Sequence, residues 1–355
     1  RNNDPRNNAM RLDDIDYELP ARLIAQSPIE PRDAARLLVD TGAGTPLDRH
    51  VRDLPEILGE GDVLVVNDTR VVPARLHLRR RTGGAVEVLL LESLDDERIR
   101  WDALIRPARK LRFGEVLVGD GDDGGDVDVL VVGDRGAAGD TMHVSFVVDD
   151  VAAFLARVGE MPLPPYITQP LTDPERYQTV FARDARSAAA PTAGLHFTPS
   201  LFAELERVGV QMASLELVVG LDTFQPVSAA NPLDHVIHTE RYRVPAATID
   251  AVNAARRVVA VGTTATRALE TAASTGQLSG RSDLFITPGY DFRVVDLLMT
   301  NFHMPRTTLL LMVEAFVGRR WRDIYVHAIA ADYRMLSFGD ASLLTCTTSS
   351  RSRRF

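Results

Sequence analysis

Unbroken apolar runs along this chain alternate with segments of helical period. Asp62-Val63-Leu64-Val65-Val66 and Val258-Val259-Ala260-Val261 carry no polar interruption, the pattern of strands buried on both faces. Residues 214–219, 284–286 and 294–299 read as further strands. Helical stretches are expected at 201–208 with Gly209 as stop, 266–274, 309–317 with Gly318 as stop, and 323–332. Strand followed by helix, repeated, is the mark of an α/β layer structure.

Between residues 73 and 160 the texture changes. Short alternating runs appear at Arg75-Leu76-His77-Leu78, at Ala85-Val86-Glu87-Val88-Leu89-Leu90-Leu91 and at Trp101-Asp102-Ala103-Leu104-Ile105. Residues 127–132 and 142–148 continue them. Such strands with Gly-rich turns predict a small barrel or sandwich. Pro162-Leu163-Pro164-Pro165 is a stiff connection back to the first texture. The α/β domain is therefore expected at 10–72 and 161–348, interrupted by the β-rich insert at 73–160. Residues 1–9 and 349–355 read as tails, with Met10 the expected natural start.

The chain has 355 residues, enough for one large domain or two smaller ones. A single cysteine, Cys346, excludes an internal disulfide and a thiolate metal cluster. No apolar run nears the roughly 18 residues of a membrane span, and no signal-peptide pattern is present. A cytoplasmic protein is expected. The net charge of -9 argues against a protein that coats nucleic acid, without excluding local basic patches. The insert holds such a set: Arg75, Arg79, Arg80, Arg81, Arg106, Arg109, Lys110 and Arg112. Two readings are open, solvated strand faces or a cationic stripe for RNA phosphates.

Three predicted strands end in polar clusters. These are Asn67-Asp68-Thr69-Arg70, Gly262-Thr263-Thr264 with Arg267 following, and Thr300-Asn301-Phe302-His303. Open α/β sheets bind ligands beyond the carboxyl ends of their strands. If the three are parallel neighbours, the clusters share one rim. A fourth segment, Ala189-Ala190-Pro191-Thr192-Ala193-Gly194-Leu195-His196-Phe197-Thr198, combines small residues, Pro and Gly around one imidazole. The bland alternatives are an Asx turn for Asn67 and a buried, hydrogen-bonded loop histidine for His196. Arg32, Asp33 and Arg36 suggest a surface ion network or a ligand clamp. His235, His238 and Glu240 have a loose metal-like spacing that matches no strong zinc pattern, so a metal hydrolase is only an alternative. No Walker loop, dinucleotide fingerprint or nucleophile elbow occurs, and neither metal nor cofactor is expected.

Ordered motifs then carry a resemblance. They are Asp16-Tyr17-Glu18-Leu19-Pro20, Asn67-Asp68-Thr69-Arg70-Val71-Val72-Pro73-Ala74-Arg75-Leu76, Leu163-Pro164-Pro165-Tyr166-Ile167 and Glu175-Arg176-Tyr177-Gln178-Thr179-Val180. The central loop, Val261-Gly262-Thr263-Thr264, Thr300-Asn301-Phe302-His303 and Ser337-Phe338-Gly339-Asp340-Ala341 complete them. Over residues 12–344 the chain resembles the S-adenosylmethionine:tRNA ribosyltransferase-isomerase family of queuosine biosynthesis. The resemblance implies an α/β main domain with a mostly parallel sheet, interrupted by a small antiparallel β-barrel domain. It implies transfer of the ribosyl unit of S-adenosylmethionine to 7-aminomethyl-7-deazaguanine (preQ1) at a tRNA wobble position. Adenine and methionine leave and epoxyqueuosine forms, with S-adenosylmethionine a substrate, not a cofactor.

That chemistry asks for a base beside the sulfonium, filled by His196 or His303. A carboxylate for the departing adenine and the cationic ribose falls to Glu240 or Asp340. Arg267 or Arg70 would hold the methionine carboxylate. Asn67, Asp68, Thr69, Thr192, Gly194, Gly262, Thr263, Thr264 and Asn301 are the expected remainder of the substrate site. Arg79, Arg80, Arg81, Arg109 and Lys110 are the expected tRNA contacts of a monomer. Alternatively Glu240 and Asp340 are caps, and Arg70 and Arg267 internal ion pairs. The chain departs from the family pattern at Val218, where the family has His, and at Asp222, where it has Gly. If that His is essential, the alternative is a divergent paralogue that binds tRNA or S-adenosylmethionine without turnover, or uses another acceptor.

Overall fold

The computed structural model describes residues 10–121, 124–136, 139–220, 227, 229, 231–235, 237–347 and 355. In chain order the strands are β1 Arg36–Val39, β2 Leu47–His50, β3 Asp62–Asn67, β4 Arg70–Val71, β5 Arg75–Arg80, β6 Ala85–Ser93, β7 Arg100–Arg106, β8 Val116–Asp120 and β9 Asp126–Arg135. They continue with β10 Met142–Phe146, β11 Ala185–Ser187, β12 Gln211–Leu217, β13 Glu240–Arg243, β14 Arg257–Val261, β15 Ser279–Ser282, β16 Leu297–Asn301 and β17 Ala341–Thr345. The helices are α1 Leu54–Ile57, α2 Val151–Val158, α3 Pro199–Arg207, α4 Ala246–Ala254, α5 Thr263–Thr275, α6 Thr308–Val317 and α7 Trp321–Ala330.

A nine-stranded sheet runs in the order β15-β13-β12-β3-β14-β16-β17-β1-β2. Its four central strands, β12-β3-β14-β16, are parallel, and β17 is parallel to β1. Antiparallel pairs finish both edges. β3 is buried at every position, as its unbroken apolar run requires. Val63 and Val65 pack with Ala265, Ala268 and Leu269 of α5, while Leu64 and Val66 pack with Phe197, Leu201 and Leu205 around α3. The strand's period of two thus feeds two helical layers.

The insert is a closed six-stranded barrel, β10-β7-β6-β5-β8-β9, every neighbouring pair antiparallel. Leu76, Val88, Trp101, Ala103, Leu117, Leu130 and Val144 fill it. Phe154 and Leu155 of α2 join this core, and Asp150 caps that helix by accepting the Ala153 N–H at 2.9 Å. The two ends of the insert are joined by the backbone bridge of Arg75 and Glu160, and the two domains meet where Arg281 grips Glu92 through two bonds of 2.7 and 2.9 Å.

Some expected boundaries move. Residues 284–286 form no strand, and β16 begins at Leu297 instead of 294. For the late start of β16 the cause is Glu270 on α5. Its buried carboxylate accepts the N–H groups of Arg293, Val294 and Val295 at 2.9, 3.0 and 3.0 Å, in place of a neighbouring strand. Burial raises the Glu270 pKa, and those backbone donors oppose the rise. Helix α5 starts at Thr263, earlier than periodicity suggested. Gly262 turns the chain in one residue at φ 89°, a conformation open to Gly.

Candidate active site

The parallel order β3-β14-β16 puts three polar strand ends on one rim. The Gly262 N–H donates to the Met299 carbonyl at 2.7 Å, fixing the start of α5 against β16. The Thr192 hydroxyl donates to Asn301 Oδ1 at 2.9 Å, drawing the central loop over the same rim. The Asn301 amide nitrogen in turn reaches the Leu336 carbonyl at 3.1 Å. Together these segments form a small cleft of about 50 Å³, lined by Thr192, Gly262, Thr263, Thr264, Asn301 and His303. Among the described residues no side chain caps α5, whose first residues, Thr263 and Thr264, line the cleft.

His303 supplies an imidazole to this cleft. Its Nε2 meets the Thr300 hydroxyl at 2.9 Å, and among the described residues its Nδ1 has no protein partner. The His303 backbone is held from both sides. Its N–H donates to the Tyr325 oxygen at 2.9 Å, and its carbonyl accepts the Tyr17 hydroxyl at 2.5 Å. Burial lowers the imidazole from 6.5 to about 4, so the ring is neutral at pH 7. Tyr166 and Ser337 share a 2.6 Å hydrogen bond at the cleft wall, and burial pushes the Tyr166 phenol up to about 12.

Beyond Thr263, Thr264 and Leu309, which line both spaces, a small adjoining cavity of about 40 Å³ is lined by Glu240 and Arg267. These two form a buried ion pair, Nη1 to Oε2, of 2.5 Å. The second Glu240 oxygen accepts the Gly220 N–H at 2.9 Å. Arg267 also donates to the carbonyls of Leu284, Ser282 and His238 at 3.0, 3.0 and 3.2 Å. Arg267 is thus an internal ion-pair residue, and Glu240 is committed to it. A metal held by His235, His238 and Glu240 would have to displace that guanidinium.

Residues 12–344 match the profile of a family described as "Queuosine biosynthesis protein". A relative from Moorella thermoacetica, named S-adenosylmethionine:tRNA ribosyltransferase-isomerase, is 50% identical over 94% of this chain and 100% of its own length. One from Symbiobacterium thermophilum with the same name is 49% identical, again over 94% of this chain and 100% of its own. The crystal structure of an S-adenosylmethionine tRNA ribosyltransferase from Thermotoga maritima matches 93% of this chain and 99% of its own. It shows 36% identity and a TM-score of 0.52. The chain belongs to the queuosine biosynthesis protein family.

In this family member several expected site residues lie elsewhere. His196 does not share the cleft with His303, which corrects the expectation of two imidazoles at one rim. Its Nδ1 meets the Ala193 carbonyl at 3.0 Å and its Nε2 the Gly339 carbonyl at 2.8 Å. The ring bridges two loops and lines a separate small cavity with Arg32, Arg176 and Phe338. Asp340 is likewise a capping residue. Its two oxygens accept the N–H groups of Arg36 and Arg334 at 2.9 and 2.8 Å. Asn67 bonds both ways with the Leu217 backbone and touches the Thr264 hydroxyl at 3.3 Å, supporting the rim from below. Thr69 is buried beside it, and burial raises the Asp68 carboxyl. Arg70 pairs with Glu175 in a different groove, between the two domains. Gly194 is needed for packing, since a Cβ there would come within 2.7 Å of the Phe181 ring.

Of the Arg32 group, Asp33 and Arg36 do form ion pairs, with Arg52 at 3.8 Å and Asp48 at 3.5 Å, while Arg32 is a brace between loops. Arg32 donates to the carbonyls of Gln178, Leu195 and Glu175, and burial lowers its pKa. Arg36 stacks over Tyr333 at 3.8 Å. Val218 is buried and donates its N–H to the Arg241 carbonyl, outside the cleft wall. Asp222 lies outside the described residues. Sequence reasoning missed Tyr17, Tyr325, Tyr166 and Ser337. Three of them stand in the quoted motifs, but nothing local tells a tyrosine that braces a backbone from one that fills a core.

Proposed function

We propose that this chain transfers and isomerises the ribosyl moiety of S-adenosylmethionine onto 7-aminomethyl-7-deazaguanine at a tRNA wobble position, releasing adenine and methionine. The observation that carries this reading for the site is His303: a neutral imidazole with an open Nδ1, fixed by Thr300 and two tyrosines, in a cleft at the carboxyl ends of the central strands. In this reading Nδ1 takes the proton from the carbon next to the sulfonium, which the positive sulfur already acidifies. The uncapped start of α5 receives an anionic group such as the methionine carboxylate, through backbone N–H groups and the helix dipole. Thr192, Asn301, Thr263 and Thr264 orient the ribose and its leaving groups. The Glu240–Arg267 pair fixes the neighbouring wall. No metal takes part, and the monomer acts in the cytoplasm.

The test is incubation of the purified chain with S-adenosylmethionine and tRNA carrying the 7-aminomethyl-7-deazaguanine base. Adenine and methionine should appear in equal amounts with the modified tRNA. Tight binding of both substrates without adenine release would establish a binding protein instead. His303→Ala should lower turnover by about two to four orders of magnitude, the usual contribution of a general base, with an unchanged circular dichroism spectrum. Near-normal turnover would remove His303 from the reaction.

A further inference from the structure

The barrel divides its cations into two classes. Arg79 pairs with Asp120 and Asp126, Arg80 with Glu115, and Arg81 with Asp128. These arginines, expected to contact RNA, are already neutralised by their own domain. The connection from β7 to β8 is different. Residues 106–113 hold Arg106, Arg109, Lys110 and Arg112 with no acidic residue among them. All four are exposed, and Phe113 beside them is 74% exposed. Among the described residues none of the four side chains makes an ion pair or hydrogen bond. The next acid in sequence, Glu115, is already occupied by the Arg80 guanidinium and the Arg112 backbone N–H.

A chain of net charge -9 does not lack carboxylates, as the neighbouring pairs prove. Arg112 lies within electrostatic reach of Glu115, but Arg106, Arg109 and Lys110 have no ion-pair partner among the described residues, and cations so close repel one another, so the arrangement favours an external polyanion. An exposed aromatic ring among them adds a surface on which an unpaired base stacks. One ring and a single turn of 3-10 helix give little apolar area for a lipid surface.

The position is informative. Arg106 is in register with Glu87, while Glu92, whose carboxylate is gripped by Arg281 of the α/β domain, is in register with Asp102. Four residues of strand span roughly 13 Å. The segment therefore begins beyond that contact between the domains and continues away from it along β7. We infer that residues 106–113 dock the phosphate backbone of the RNA substrate, away from the nucleotide that reacts. This inference rests on the function proposed above.

The test uses the full chain and the doubly reversed variant Arg109→Glu/Lys110→Glu. Adenine release is measured against tRNA concentration at two salt concentrations, with a gel mobility shift on the same tRNA in parallel. The variant should melt with the parent and show a KM for tRNA raised about tenfold or more. Its kcat and its KM for S-adenosylmethionine should stay within about twofold. Each lost phosphate contact should flatten the slope of log affinity against log salt by roughly 0.7 to 0.9. Phe113→Ala should weaken binding several-fold without changing that slope. An unchanged KM and salt slope would overturn the inference. So would binding of anionic phospholipid vesicles that the double variant abolishes while tRNA binding is untouched. If the parent binds tRNA but releases no adenine, the functional reading fails, and the mobility shift still decides the docking surface.

Discussion

His303 offers a prediction whose size follows from its burial. In the unfolded chain the imidazole titrates near its ordinary 6.5, and in the fold burial holds it at about 4. The unfolded state therefore binds more protons through that window. The stability of the fold is fully present above pH 6.5 and is lost progressively as pH falls towards 4. The two values give a loss of roughly 2 kcal/mol at pH 5 and about 3 kcal/mol at pH 4, relative to pH 7. Other groups titrate as well. The raised carboxyls of Asp68 and Glu270 act in the opposite direction, so the whole-protein curve does not isolate the histidine. His303→Asn does. Asparagine does not titrate, and its missing Thr300 contact is a constant offset at every pH. Urea unfolding of parent and variant, followed by the fluorescence of buried Trp321, gives the difference directly. From pH 7 to pH 5 the parent should lose about 2 kcal/mol more than the variant. Parallel losses would show that the ring titrates normally in the fold, and the neutral-base argument would go with them.

Four further changes test the frame around the cleft. Glu240→Gln strands the Arg267 cation in a buried site and should cost about 3 to 5 kcal/mol, read as a fall in urea midpoint at constant m. An unchanged midpoint would mean that the carbonyls around Arg267 suffice. Gly262→Ala forces a Cβ at φ 89° and should cost about 1 to 3 kcal/mol, with a raised KM for S-adenosylmethionine because the start of α5 shifts. Gln178→Ala breaks the two bonds its amide makes with the Val71 N–H and carbonyl, and should lower the melting temperature by several degrees. His196→Ala leaves the Ala193 and Gly339 carbonyls without their shared partner; differential scanning fluorimetry should show the larger effect, with activity recovering on cooling.

The sequence made the α/β plan legible wherever burial was two-sided. Val63 to Val66 and Val258 to Val261 could be read as central strands because no polar residue interrupts them, and their polar ends then predicted the rim at Gly262, Thr264 and Asn301. The barrel was legible as alternation broken by glycine turns. What stayed hidden depends on partners far along the chain. His196 finds the Gly339 carbonyl 143 residues away, and Asp340 finds the Arg36 N–H 304 residues away. Arg32 spends its donors on carbonyls more than a hundred residues distant. A side chain that ties two remote loops and one that meets a ligand need the same residue types. Only the fold separates them, by showing whether both ends of the group are already satisfied.

The same criterion explains why a neutral histidine suits the proposed reaction. The substrate brings its own positive charge at sulfur. An imidazolium a few ångströms away would oppose binding by some kcal/mol at the effective dielectric of a protein interior. A free carboxylate would attract the sulfonium, yet the two carboxylates expected to serve are occupied, Glu240 by Arg267 and Asp340 by two backbone N–H groups. The cleft therefore offers an uncharged acceptor at His303 and partial positive charge only at the start of α5. Two differently charged parts of one substrate are thereby sorted: the anionic end towards the helix, the carbon beside sulfur towards Nδ1. Burial weakens His303 as a base, and the sulfonium offsets that weakness by acidifying the carbon it attacks.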